Sequence, residues 1–283
     1  MTNRFDRDTA VHAVASEGET GVHEGRIDRG WWIVRGPNGG YVAALLLRAL
    51  SAAVPADRAP RSLTVHYTAP PAEGAVRVHT RVERTGRSLS TVSGRMLQGD
   101  RLLALALGAF SSARPGPRFD HARMPAAPAP EDCPSFASAI PMHDRYEYRW
   151  AIGAPPGGEA PAPPGPGADR RAPGGRGEAL SGGWIRLAEP RVVDAPLVAA
   201  YTDAWPPACF SWSGPEAIGP VPTVDLTIHF RSELPRAGAR PEDWCLARFR
   251  SRLAAGGFVE EDGEVWSRDG SLLAQSRQLA VIG

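Results

Sequence analysis

The hydrophobic pattern of this chain reads as one structural unit written twice. In the first copy, Asn38-Gly39-Gly40 precedes Tyr41-Val42-Ala43-Ala44-Leu45-Leu46-Leu47-Arg48-Ala49-Leu50, a run that is apolar on nearly every helical face. Asn38 is suited to cap such a helix, and a helix apolar all round must be buried, so a sheet is expected to wrap it. Alternating strands follow. Leu63, Val65 and Tyr67 alternate with Thr64 and His66, and Val76, Val78, Thr80 and Val82 alternate with Arg77, His79 and Arg81. Segments 88–98 and 102–110 complete a meander around the turn Gln98-Gly99-Asp100.

The second copy repeats this order. Trp184-Ile185-Arg186-Leu187 reads as a strand, Asp194 as a helix cap with Pro196 in the first turn, and the helix 195–205 ends at Pro206-Pro207. Strands at 223–231, 244–253, 257–266 and 271–281 match the first meander. Leu63-Thr64-Val65-His66-Tyr67 returns as Leu226-Thr227-Ile228-His229-Phe230, and Leu102-Leu103-Ala104 returns as Leu272-Leu273-Ala274. Between the copies, residues 151–180 hold seven Pro and eight Gly in thirty positions, which cannot support a packed core. The expected division is therefore an N-terminal unit at 1–117, a linker with a Pro/Gly-rich disordered segment at 118–180, and a C-terminal unit at 181–283. A buried helix cradled by a curved antiparallel sheet, twice over, is an α+β double hotdog.

Composition narrows the chemistry. With 283 residues, 42% hydrophobic content and a net charge of +1, the chain can bury a large core and carries no charge field for nucleic acid. All its positive charge is arginine. Without lysine there is no Walker A lysine and no Schiff base. Cys133, Cys209 and Cys245 lack metal or disulfide spacing and read as reduced thiols, and the longest apolar run is too short to span a bilayer. A cytoplasmic protein without metal or other cofactor is expected. No G-x-S-x-G elbow is present, and no histidine lies five residues after an aspartate.

Trp32, Arg35-Gly36-Pro37-Asn38-Gly39-Gly40-Tyr41, Arg84-Thr85-Gly86-Arg87-Ser88 and the two half-domains together resemble the acyl-CoA thioesterase II family, over nearly the whole chain except the Pro/Gly segment. The resemblance implies an Asp on the second helix, a Thr on the next strand and a Gln on the last strand, all binding a hydrolytic water. Matched motif by motif, these are Asp203, Thr223 and Gln278. It also implies an acyl-CoA substrate, hydrolysed to free acid and CoA, and an assembly of double hotdogs as a homo-oligomer, a dimer. The first copy has Gly108 where the second has Gln278, so only one of the two pseudo-equivalent sites is equipped.

Each assignment has a plainer counterpart. Asp203 at the end of its helix is either a base with a raised pKa or a solvated aspartate. Thr223 alone is an ordinary strand threonine, and the polar last strand around Gln278 also fits a solvent-facing edge. Gly39, Gly40 and Tyr41 at the first helix N-terminus offer backbone N–H groups for an oxyanion, or simply pack tightly. His66 and His229 sit at equivalent positions, which fits an interface or a structural role better than catalysis. The competing functional class is a non-catalytic binder of acyl-CoA or another acyl intermediate.

Overall fold

The computed structural model describes residues 3–156 and 178–283. Its helices are α1 (Arg4–Asp8), α2 (Gly39–Ala52), α3 (Ala195–Tyr201), α4 (Cys209–Ser213) and α5 (Pro215–Ile218). The first half carries strands β1 (Val11–Glu17), β2 (Thr20–Ile27), β3 (Ala59–Tyr67), β4 (Gly74–Thr85), β5 (Leu89–Gln98) and β6 (Arg101–Ser111). The second carries β7 (Ser135–Phe136), β8 (Tyr146–Ile152), β9 (Ala179–Leu187), β10 (Thr223–Phe230), β11 (Cys245–Ser251), β12 (Ala254–Ala255), β13 (Phe258–Ser267) and β14 (Leu272–Val281).

The apolar helix forms as its sequence demands. Asn38 caps α2 by accepting from the Tyr41 N–H at 3.0 Å, and every residue from Gly40 to Leu47 is buried. Asp194 caps α3 in the same way through Leu197, with Pro196 in the first turn. This second helix is shorter than the pattern predicts. It ends at Tyr201 because the Thr202 hydroxyl donates to the Ala199 carbonyl at 2.8 Å, a local bond that competes with another helical turn. The chain turns four residues before Pro206.

Two hotdogs share one sheet. The strand order is β1, β2, β4, β5, β6, β3, then β10, β14, β13, β11, β9, β8, β7, antiparallel throughout, with β12 paired on β13. The halves join edge to edge where β3 meets β10, in the register Val65 to Leu226, Thr64 to Thr227 and Leu63 to Ile228. The repeated motif is thus paired with its own copy. Thr64 and Thr227 face each other with their hydroxyls 3.1 Å apart, which puts the pseudo-twofold axis between them. His66 and His229 lie exposed on either side of that seam. One buried cluster runs through both halves, from Leu45 and Leu63 to Ala199 and Leu226.

Two further regions differ from the sequence reading. An exposed edge strand, β1, precedes β2 at the N-terminus, where the alternation is too polar to announce it. Within the expected linker 118–180, β7 and β8 pair with each other and β8 pairs with β9, so residues 146–152 belong to the second half's sheet. The period-two burial of Tyr146, Tyr148, Trp150 and Ile152 is the reason. Most of the Pro/Gly-rich stretch, at 157–177, lies outside the described residues.

Candidate active site

Asp203, one residue beyond the α3 C-cap, reaches across to the first half. Its Oδ2 accepts from the Gly40 backbone N–H at 3.0 Å and from Asn38 Nδ2 at 2.9 Å, while its carbonyl accepts from Asn38 Nδ2 at 2.5 Å. The positive N-terminus of α2, rather than the negative end of α3, is therefore the helix end that acts on this carboxylate. Burial opposes those bonds and prevails. It raises the Asp203 pKa to about 6, against the Gly40 N–H, the Gln278 side chain, the Gly39 N–H and Asn38, all of which lower it. Of the two causes that the position of Asp203 suggests, the end of its helix and burial, burial is the one that raises the pKa.

Close helix packing makes this reach possible. A Cβ at Gly40 would lie 2.5 Å from the Ala200 carbonyl oxygen, and one at Gly39 would lie 2.9 Å from Asp203 Oδ2. Only glycines let the start of α2 and the end of α3 approach this closely. Tyr67, the last residue of β3, pins the same corner by donating its hydroxyl to the Gly39 carbonyl at 2.7 Å.

The free N–H groups expected at Gly40 and Tyr41 are not free. Asp203 takes the first, and the Asn38 cap takes the second at 3.0 Å. Tyr41 also turns its side chain away from Asp203: its ring stacks on Trp31 at 4.9 Å and its hydroxyl donates to the Asp8 carbonyl at 2.7 Å. Of the three positions read as oxyanion or substrate contacts, Gly39 and Gly40 face Asp203, and Tyr41 is a packing residue.

Thr223 and Gln278 come together on neighbouring strands. The Thr223 hydroxyl donates to Gln278 Oε1 at 3.0 Å, and Gln278 lies near enough to Asp203 to lower its pKa. Gln278 is buried, so the plainer reading of a solvent-facing edge does not hold for it. Its amide nitrogen donates to Glu261 Oε1 at 2.7 Å, and Glu261 Oε2 accepts from the Ala208 N–H at 2.6 Å.

Glu261 is the residue the sequence reading missed. It is 7% exposed, and burial raises its pKa to about 7 despite the bonds from Ala208 and Gln278, with Asp203 and Glu260 adding to the rise. A signal existed. On β13, Val259, Glu261, Gly263 and Val265 all occupy inward positions, so the acid interrupts an otherwise apolar stripe. Flanked by Glu260 and Asp262, it reads in one dimension as part of a solvated charge run. Asn38 was read only as a cap, yet its amide also holds Asp203.

The sequence of each half matches a described domain. Residues 28–111 match the acyl-CoA thioesterase N-terminal domain and residues 120–282 the acyl-CoA thioesterase C-terminal domain. The chain belongs to the acyl-CoA thioesterase family. No curated protein matches this family member by sequence. Among solved structures, a hot dog fold protein from Alicyclobacillus acidocaldarius is similar at 26% identity and a TM-score of 0.82, covering 100% of this chain and 99% of that one. A putative thioesterase II from Thermobifida fusca is similar at 25% identity and a TM-score of 0.79, covering 99% and 97%. An acyl-CoA thioesterase II of Mycobacterium marinum, at 19% identity and a TM-score of 0.72 over 99% and 96% of the two chains, shares the fold. Among the described residues, no helix is long and apolar enough to cross a membrane.

Proposed function

We propose that this chain hydrolyses acyl-CoA to a free acid and CoA, with a water molecule activated at Asp203. The observation that carries the reading is the Asp203 carboxylate, raised to a pKa of about 6 and held at the N-terminus of the other half's central helix. A carboxylate tuned toward neutrality is a far better base than a surface aspartate and is still ionised at pH 7.

The hydrogen-bond directions suit a nucleophilic water. Because Thr223 gives its proton to Gln278, its oxygen is left to accept. Gln278 spends one amide proton on Glu261 and turns the other toward Asp203, where an entering water would take it. A water among the three would donate to Asp203 and Thr223 and accept from Gln278, leaving one lone pair for the thioester carbonyl. Asp203 takes the proton as the C–O bond forms, the tetrahedral intermediate expels the CoA thiolate, and the proton passes to that sulfur. For the developing oxyanion, the candidate donor is the Gly40 N–H at the start of α2, which the thioester oxygen would take in exchange with Asp203.

The test is a panel of acyl-CoAs from short to long chain, followed by release of free thiol. Turnover of at least one is expected. Binding of the panel with no thiol released from any member sinks the enzymatic reading in favour of an acyl-CoA binder.

A further inference from the structure

We infer that Glu261 is a positioning residue: its carboxylate fixes which way the Gln278 amide faces, and so sets the donors and acceptors that Thr223 and Gln278 offer at the site. The inference rests on the thioesterase reading for its kinetic consequence, though its structural core does not.

Glu261 Oε2 is committed as an acceptor by the Ala208 N–H at 2.6 Å. A proton on this carboxyl therefore belongs on Oε1, the oxygen that faces Gln278 at 2.7 Å. While Glu261 is ionised, only the NH2 end of Gln278 can face it, which turns the Gln278 carbonyl to Thr223 and makes the Thr223 hydroxyl the donor. When Glu261 is protonated, its O–H must find an acceptor, and the carbonyl of a turned Gln278 is the one at hand. The amide then faces Thr223 with N–H, Thr223 becomes the acceptor, and its own proton is released toward the site. A nucleophilic water would meet a competing donor where it needs an acceptor. One proton on a side chain that does not face the substrate thus reverses two groups that do.

A comparison within the chain supports a specific pairing over a chance buried acid. Glu261 stands opposite Gln278 across β13 and β14, and the equivalent cross-strand pair in the first half is Val92 opposite Gly108. Both polar members are present in the same half, and both are absent from the other. The ionisable groups facing Glu261 include Asp203 after α3, Glu260 on its own strand, and the Cys209 thiol on α4, which burial first and then Glu261 push up to about 12. Its hydrogen-bond partners among the described residues include no arginine or histidine. The raised pKa of about 7 brings the switch into the physiological range.

The chain has only three glutamines, Gln98, Gln275 and Gln278, so selective 15N-glutamine labelling yields three side-chain amide pairs. The Gln278 pair is identified by its loss in Gln278→Ala. In the wild-type protein this signal should shift with a midpoint near pH 7, and in Glu261→Gln that step should vanish, leaving only the step near pH 6 that Asp203 produces, which Asp203→Asn removes. Kinetically, Glu261→Gln should lower kcat about tenfold with KM little changed, on the scale of one misdirected buried hydrogen bond. In a Gln278→Ala background it should cost nothing further, and Glu261→Asp should restore part of the rate. A Gln278 signal that does not titrate, or an equal loss from Glu261→Gln with and without Gln278, overturns the inference. If wild-type protein releases no thiol from any acyl-CoA, the thioesterase reading fails, while the amide titration still decides whether Glu261 orients Gln278.

Discussion

Four positions in each half occupy equivalent places near the C-terminal end of their own half's central helix, beside Asp203 in one and Leu50 in the other, and they hold opposite chemistries. In the second half they are Thr223, Glu261, Gln278 and Ala280; in the first they are Pro60, Val92, Gly108 and Phe110, matched by the same cross-strand partners. The small Ala280 stands beside a hydrogen-bonded polar set. Phe110 stands at the equivalent position, and a Cβ at Gly108 would lie 2.7 Å from its ring and 3.1 Å from Leu50. One end is a polar cluster held by directional bonds, and its twin is packed core. Duplication supplied two frames of the same shape, and side-chain volume at one position decides which of them can hold polar chemistry.

The harshest way to break the comparison is to separate the halves. Asn38 and Gly40 come from the first half, and Asp203, Thr223 and Gln278 from the second. Residues 1–117 expressed alone would also bare the β3 edge and the face of α2 that packs on α3. We expect this fragment to be insoluble or to pair with itself, and to release no thiol from acyl-CoA. Light scattering after size exclusion checks it, and a stable monomeric fragment would count against the shared sheet as a requirement for folding.

Next in size is Asp203→Asn, which keeps an acceptor for Asn38 and Gly40 and removes only the basic oxygen. Loss of a general base predicts a fall in kcat on the order of 10² to 10⁴ with the fold intact. For the wild type, kcat/KM should drop as pH falls through about 6, where Asp203 takes up its proton. A variant that retains most of its activity in thiol-release assays would remove Asp203 from the reaction.

How far these features were legible in the chain follows from their range. Strand alternation and an all-apolar helix are local, so the strands from β3 onward in the first half, both central helices and the repeated order were readable. The β8 strand was hidden because a Pro/Gly-rich neighbour dominated its composition, even though Tyr146, Tyr148, Trp150 and Ile152 alternate cleanly. The site depends on contacts across more than 160 residues, such as Gly40 to Asp203, which no spacing encodes. Asp203, Thr223 and Gln278 were reached through resemblance. Glu261 had no motif to mark it, and its inward position becomes decisive only once β13 is in register with β14.

Gly108→Gln probes the other end of the comparison. Inserting the missing glutamine into the first half must displace Phe110 or Leu50, so overpacking should cost about 1–3 kcal/mol of stability, with no gain in thiol release. Chemical denaturation and initial rates measure the two effects. A second active site, seen as doubled kcat at unchanged stability, would show that the two ends are interchangeable after all.

The smallest effect separates the cost of the equipped end from its use. Asp203 has a folded pKa of about 6 against an ordinary 3.8, so the folded protein binds its proton more tightly than the unfolded chain does. Stability from this group is therefore fully present below about pH 4 and is lost as pH rises through about 6. Asp203→Asn removes the ionisation while keeping the hydrogen-bond acceptor, so at pH 8 the variant should be more stable than the wild type, by about 1–3 kcal/mol. The lower half of that range is favoured because the side chain retains some solvent contact. Near pH 4 most of the advantage should disappear, since the folded wild type is then protonated at this position and the unfolded chain is partly so. Urea unfolding of both proteins at the two pH values measures the difference directly. A wild type at least as stable as the variant at pH 8 would mean that the bonds from Gly40 and Asn38 outweigh desolvation, and that Asp203 is a structural tie between the halves rather than a strained base.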